Sequence, residues 1–187
     1  MEFTLFNSNL RLPFNLPPEK LNHFISINIQ VNKNIDINNI NLYWGYFNGN
    51  ARVKSTGKWK EVDWITCDKY VPYALGGGYI LSKELVSFLG KNADYFRTFN
   101  SEDTSVGLWL SSVNNIVRIH DIRFDTEWTS RGCKNFYLVT HNISPKEMSV
   151  MYDNLINNKQ LCTKEEEKRK YYLYDWSSPP SQCCLTN

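Results

Sequence analysis

Residues 76–78 are three consecutive glycines, set between Tyr73-Ala-Leu and Tyr79-Ile-Leu-Ser. Such a run costs backbone entropy, so something in the fold needs it. Glycines permit positive φ and let a ligand or another segment approach the backbone closely. The pattern predicts a loop through "YVPYALGGG", then a short strand, then a helix over "SKELVSFLG" with Ser82 at the N-cap and Gly90 at the end. A plain flexible loop and a close-approach site both remain open. Neither G-x-G-x-x-G nor G-K-[ST] accompanies the glycines, so the dinucleotide fingerprint and the P-loop are excluded.

The neighbouring words alternate between strand and helix. "NLYWGYF" reads as a strand, and "NGNARVKSTGKW" as a turn with a second short strand, which suggests a hairpin. "SEDTSVGLWLSSV" places Ser101 at an N-cap with Glu102 and Asp103 in the first turn. "NIVRIHDIRFDTEW" is partly alternating, and "NFYLVTH" is an apolar strand ending in His141. "SPKEMSVMYDNLINNK" is the clearest helix, with Ser144 as cap, Pro145 at the first position and Glu147 closing a capping box. "TKEEEKRKYYLYDW" is a charged surface segment. This order predicts an α/β domain.

Residues 1–41 differ in texture. They are Asn-rich, poor in complexity and turn-rich around "LPFNLPP", with a short helix suggested at "PEKLNHFI". The reading is therefore an ill-defined segment over 1–41 and a folded unit over 42–187.

Charge is nearly balanced, 21 Lys and Arg against 19 Asp and Glu. That gives no reason to expect nucleic acid or an anionic membrane surface. No apolar run reaches the roughly 18 residues of a membrane span, and the first residues lack the pattern of a signal peptide. The five cysteines fit no zinc spacing. The adjacent Cys183 and Cys184 suit an oxidising compartment, and the odd count leaves a free thiol or a partner elsewhere.

Glu102 and Asp103 pose the main chemical question. Acids at a helix start interact well with its dipole, and simple capping explains them. A carboxylate held on a rigid element facing a cleft is also a general base. His120 and His141 both end strand-like runs, where site residues of α/β folds often lie. A structural role is open for each. Asn142-Ile143-Ser144 is a sequon, but Pro145 and the capping duty of Ser144 argue against a glycan.

Four words, "WITCDKYVPYALGGGYILSKELVSFL", "FNSEDTSVGLWLSSV", "RIHDIRFDTEWTSRGCKNFYLVTHNISPKEM" and "YYLYDWSSPPSQCC", occur in a familiar order. From Leu42 to Cys184 the chain resembles the C-terminal part of glycosyltransferase family 31, the β-1,3-galactosyltransferases. Its tail resembles the subgroup that builds the glycosaminoglycan linker. The resemblance implies the acceptor-side part of a GT-A fold in a Golgi-resident type II membrane protein, facing the lumen. It implies inverting transfer from UDP-galactose to the 3-hydroxyl of a β-galactoside, namely the galactosyl-xylosyl unit on a proteoglycan core protein. Asp103 would be the base and Glu102 its neighbour. Gly76, Gly77 and Gly78 would bring backbone close to the sugars, with Tyr73, Trp44 and Trp109 lining the cleft. His141 would be a ligand to Mn²⁺, a role an imidazole shares reasonably with diphosphate oxygens.

The family's Asp-x-Asp motif, which holds metal and UDP, belongs upstream of "LYWGYF". No D-x-D occurs here, and Glu2, Glu19 and Asp36 are the only acids before Trp44. The expectation is that the nucleotide-binding half and the membrane anchor are largely missing, with weak UDP binding. The alternative reading is a truncated, non-catalytic chain that binds acceptor only.

Overall fold

The computed structural model describes residues 41–184 and the backbone of Phe3–Phe6. The helix suggested at "PEKLNHFI" and most of the Asn-rich segment lie outside the described residues.

A four-stranded sheet in the order β1-β3-β2-β4 forms the frame. Its strands are β1 (Phe3–Phe6), β2 (Asn41–Asn48), β3 (Tyr73–Ser82) and β4 (Ile116–His120). β3 runs antiparallel to β1 and β2, whereas β2 and β4 are parallel. Helix α1 (Lys83–Lys91) follows β3, and α2 (Glu102–Ser111) leads towards β4. A parallel pair needs such a crossover.

The period-2 pattern of β2 explains why both faces are covered. Tyr43 and Phe47 point to one face, where Tyr79, Leu81, Leu85, Val106 and Leu110 form a core under the helices. Leu42, Trp44 and Tyr46 point to the other, packing with Ile80 and Phe124. On that second side lie two small ladders, β5 (Phe124–Asp125) with parallel β7 (Val139–Thr140), and β6 (Gly132–Cys133) with antiparallel β8 (Glu166–Glu167). The α/β expectation holds.

Helix α3 (Pro145–Asn158) carries the expected cap in full. Ser144 Oγ accepts from the Glu147 N–H, and the Glu147 carboxylate accepts from the Ser144 N–H.

Three expectations need correction. The glycine run is not a loop. β3 is continuous through it, but Gly45 pairs with Tyr79 and Phe47 with Ala74, so residues 75–78 stand opposite Tyr46 alone. The run is thus a bulge, a device that re-aims backbone beside functional sites. The hairpin expected after Asn48 is only an isolated bridge between Arg52 and Lys69, because the intervening charged and Gly-containing stretch has no apolar face to bury. "NFYLVTH" shrinks to a two-residue strand, since its partner β5 offers only two residues.

Cys133 and Cys162 form one disulfide and Cys183 and Cys184 another, leaving Cys67 as the free, exposed thiol. Among the described residues no helix is long and apolar enough to cross a membrane.

Candidate active site

A cleft of about 420 Å³ opens where the bulge of β3 meets the start of α2. Its lining includes Gly76 and Gly77, Glu102 and Asp103, Tyr73, Thr126, Trp128 and His141, with Lys54, Lys58 and Trp59 from the segment between β2 and β3.

The start of α2 is held by a group distant in sequence. The Ser101 side chain makes no capping bond. Instead the buried Glu61 carboxylate accepts from the Asn100 N–H (2.9 Å) and the Ser101 N–H (3.1 Å). The Ser101 carbonyl accepts from the hydroxyls of Thr104 and Ser105, both at 2.9 Å. Such over-determination fixes the first turn, on which Asp103 sits.

Asp103 Oδ2 accepts from the Gly76 N–H and Oδ1 from the Thr104 N–H, each at 2.8 Å. Burial pushes its pKa above the usual carboxylate range, and the backbone donors only partly oppose this. A carboxylate accepts about four hydrogen bonds, so capacity for a substrate hydroxyl remains. Glu102 differs. Its carboxylate accepts from the Tyr79 hydroxyl, and burial raises its pKa too. The pair therefore divides, with Glu102 tied to a core tyrosine and Asp103 presented to the cleft on backbone donors.

The glycines explain why this is possible. A methyl on Gly76 would lie 3.0 Å from Asp103 Oδ2. One on Gly77 would lie 2.8 Å from Thr126 Cβ and 3.0 Å from His141 Cβ, and one on Gly78 2.9 Å from Val139 Cγ1. The contacts of 2.8 and 2.9 Å would force Thr126 or Val139 to shift, and the one at Asp103 is tight enough that the carboxylate must give by a few tenths of an ångström. The run brings α2, the residues after β5 and those after β7 onto one strand.

Behind the cleft, Asp125 is fully buried and accepts from the Arg131 N–H and Nε (both 3.0 Å) and from Ser130 Oγ (2.6 Å). Arg131 also donates to the carbonyls of Ile122 and Phe124 and lies 4.4 Å from the Tyr46 ring. The guanidinium bonds through Nε and one terminal nitrogen, while its other terminal nitrogen is buried without a hydrogen-bond partner among the described residues. A buried ion pair held this way sets the geometry of the loop that follows.

His141 stands in the cleft with Nδ1 3.2 Å from the Glu127 carbonyl. With the proton on Nδ1, Nε2 keeps its lone pair for a metal. Among the described residues no group of three or more His, Cys, Asp or Glu side chains could hold an ion, so a metal at His141 would need donors from elsewhere. His120 lies elsewhere. Its Nδ1 accepts from the Phe47 N–H and its Nε2 meets the Tyr172 carbonyl, both at 3.0 Å, clasping the C-terminal segment to β2.

The sequence singled out several residues that do not line the cleft. Trp44 is buried on the far sheet face against Phe124, its Nε1 donating to Asp121. Trp109 stacks on Phe96 and donates to the Arg97 carbonyl. Gly78 packs on Val139 rather than on the opening. Tyr73, Gly76, Gly77, Glu102, Asp103 and His141 do come together. Sequence reasoning missed Glu61, Thr126, Trp128 and the Lys54–Trp59 wall. Only Trp128, an aromatic flanked by polar residues in "DTEWTS", carried a readable sign.

The galactosyltransferase family model matches residues 19–121. The chain is 53% identical over 143 residues to mouse beta-1,3-galactosyltransferase 6, covering 76% of this chain and 44% of the relative. It is 33% identical over 122 residues to human UDP-GalNAc:beta-1,3-N-acetylgalactosaminyltransferase 2, covering 65% of this chain and 23% of the relative. A hydroxyproline O-galactosyltransferase of Arabidopsis thaliana is 37% identical over 123 residues, covering 62% and 17%. The chain thus spans less than half the length of each of these relatives.

Proposed function

This chain belongs to the galactosyltransferase family, and from that premise we propose that it transfers galactose from UDP-galactose, with inversion, to the 3-hydroxyl of a β-galactoside. The single observation that carries the reading is the presentation of Asp103, which faces the cleft on two backbone donors with its basicity raised by burial. In the step, the Asp103 carboxylate takes the proton of the acceptor hydroxyl as that oxygen bonds to the anomeric carbon. The bond from that carbon to the diphosphate breaks, and UDP leaves with the electron pair. Attack opposite the leaving group inverts the configuration.

Gly76 positions the base, and Glu102, bound to Tyr79, buttresses the same helical turn. His141 would hold Mn²⁺ together with diphosphate oxygens, and the ion would supply neutralisation of charge on the departing UDP. The name of the mouse relative supports a β-1,3 linkage, and the resemblance of the tail "YDWSSPPSQCC" to the linker-building subgroup supports the galactosyl-xylosyl unit of a proteoglycan core protein as acceptor. The same relationship supports a Golgi membrane setting for the whole protein, with the described residues as the acceptor side of a GT-A fold.

The test is transfer from UDP-galactose and Mn²⁺ to a galactosyl-xyloside by the wild-type chain and by Asp103→Asn. Asp103→Asn is expected to abolish transfer and keep acceptor binding. Retained turnover rules Asp103 out as the base. A wild-type chain that binds acceptor and never transfers is an acceptor-binding module instead.

A further inference from the structure

Thr126 is 4% exposed, and its Oγ1 has no hydrogen-bond partner among the described residues. A buried hydroxyl without a partner costs free energy, so native structures retain one where something outside the protein completes it. Thr126 lines the cleft beside Gly77 and His141. Two residues on, Trp128 lines the same cleft with its side chain 77% exposed.

An exposed tryptophan on a loose loop would mean little, but this loop is fastened from every side. Asp125 is locked to Arg131. Glu127 pairs with Arg169 at 3.1 Å, and Arg169 also donates to the Thr129 carbonyl at 2.7 Å. The Trp128 carbonyl accepts from the Asn142 amide at 3.2 Å. Asn142 adopts φ +60°, a left-handed conformation that asparagine tolerates. Two buried polar atoms here lack a partner among the described residues, the Thr126 hydroxyl and one guanidinium nitrogen of Arg131, and of the two residues only Thr126 lines the cleft, beside the exposed Trp128 face. Preorganisation of this kind lowers the ordering cost of binding.

We propose that Thr126 and Trp128 form a pyranose subsite, Thr126 Oγ1 bonding a sugar hydroxyl on the floor and the Trp128 ring covering the sugar's apolar face at the rim. A galactopyranose presents C–H groups 3, 4 and 5 together on one face, which matches an indole. The identity of the sugar rests on the galactosyltransferase reading, while the subsite itself rests on the buried hydroxyl and the held ring. The pyranose comes either from the acceptor or from the donor nucleotide sugar.

The test uses the full chain with methyl β-galactopyranoside and UDP-galactose as separate probes, read by saturation-transfer NMR and titration. The wild type is expected to saturate the C3, C4 and C5 protons. Trp128→Ala should weaken binding roughly ten-fold, and Trp128→Phe should restore part of it. Thr126→Val should weaken binding about five- to ten-fold while keeping or raising the melting temperature, since no protein bond is lost. Weakening confined to the galactoside assigns the acceptor sugar, and weakening confined to UDP-galactose assigns the donor sugar. Either supports the subsite. The proposal is overturned if the wild type binds neither probe, if both variants bind as the wild type does, or if Thr126→Val lowers the melting temperature. Sugar binding intact in a wild type that transfers nothing would sink the transferase reading and leave the subsite standing.

Discussion

Gly76→Ala puts the geometry of the base under direct test. The added methyl would sit 3.0 Å from Asp103 Oδ2, 3.2 Å from its Cγ and 3.3 Å from its Cβ. The carboxylate has to give by a few tenths of an ångström. That retreat loosens the 2.8 Å bond from the Gly76 N–H, a hydrogen bond to a charged group worth about 1.5–3 kcal/mol. A reacting group misplaced by about 1 Å costs on the order of 10²-fold in rate. The smaller shift here is therefore expected to lower kcat about 10- to 100-fold, roughly 1.4–2.8 kcal/mol, with little change in KM. The pH profile adds a second readout. A base works ionised, so the rate rises with pH through its pKa, and burial already sets that limb above the ordinary carboxylate range. The Gly76 N–H pulls the pKa down, so weakening it moves the limb to higher pH. Initial rates of UDP release across pH would show both effects. Gly90→Ala, where a methyl meets nothing within 4 Å, is the control. If Gly76→Ala leaves kcat and the limb unchanged, the glycine does not serve Asp103.

His120 predicts a pH dependence of stability. Burial pushes its pKa down to about 4, against about 6.5 in an unfolded chain. The folded state thus favours the neutral ring, and this stability is present above about pH 6.5 and lost as pH falls towards 4. The loss approaches about 3 kcal/mol, measurable by urea unfolding, and an NMR titration of the His120 ring with a midpoint near 6.5 would contradict it. Asp125→Asn leaves the buried Arg131 guanidinium with only Glu127, 3.9 Å away, as counter-charge and is expected to cost about 3 kcal/mol in the same assay. A cost below about 1 kcal/mol would mean the ion pair does not set the loop.

What the sequence made legible was local. The α3 cap is written in four consecutive residues, and β2 is a short aromatic-rich run bounded by Asn41 and Asn48, the composition of a buried strand. The glycine bulge was misread because strand signals reside in side chains, which glycines lack. Its reason lies in Asp103, Thr126, His141 and Val139, all from later parts of the chain. Trp44 and Trp128 show the same limit from the other side. Both are tryptophans near strands, yet one faces Phe124 and the other the cleft, and only the packing of two sheet faces decides between them. Asp103 was ambiguous until Gly76 was found at its carboxylate.

Glu61 gives the site a modular character. It lies in the long segment between β2 and β3, and it alone among that segment's acids grips the backbone ahead of α2. The tip at 55–57 is exposed and ends in Gly57 at φ +79°, where an added methyl meets nothing. Exposed tips of this kind accept insertions and substitutions. The wall carrying Lys54, Lys58 and Trp59 can therefore drift in length and composition over evolutionary time. So long as one buried carboxylate stays anchored, the base beneath it keeps its coordinates.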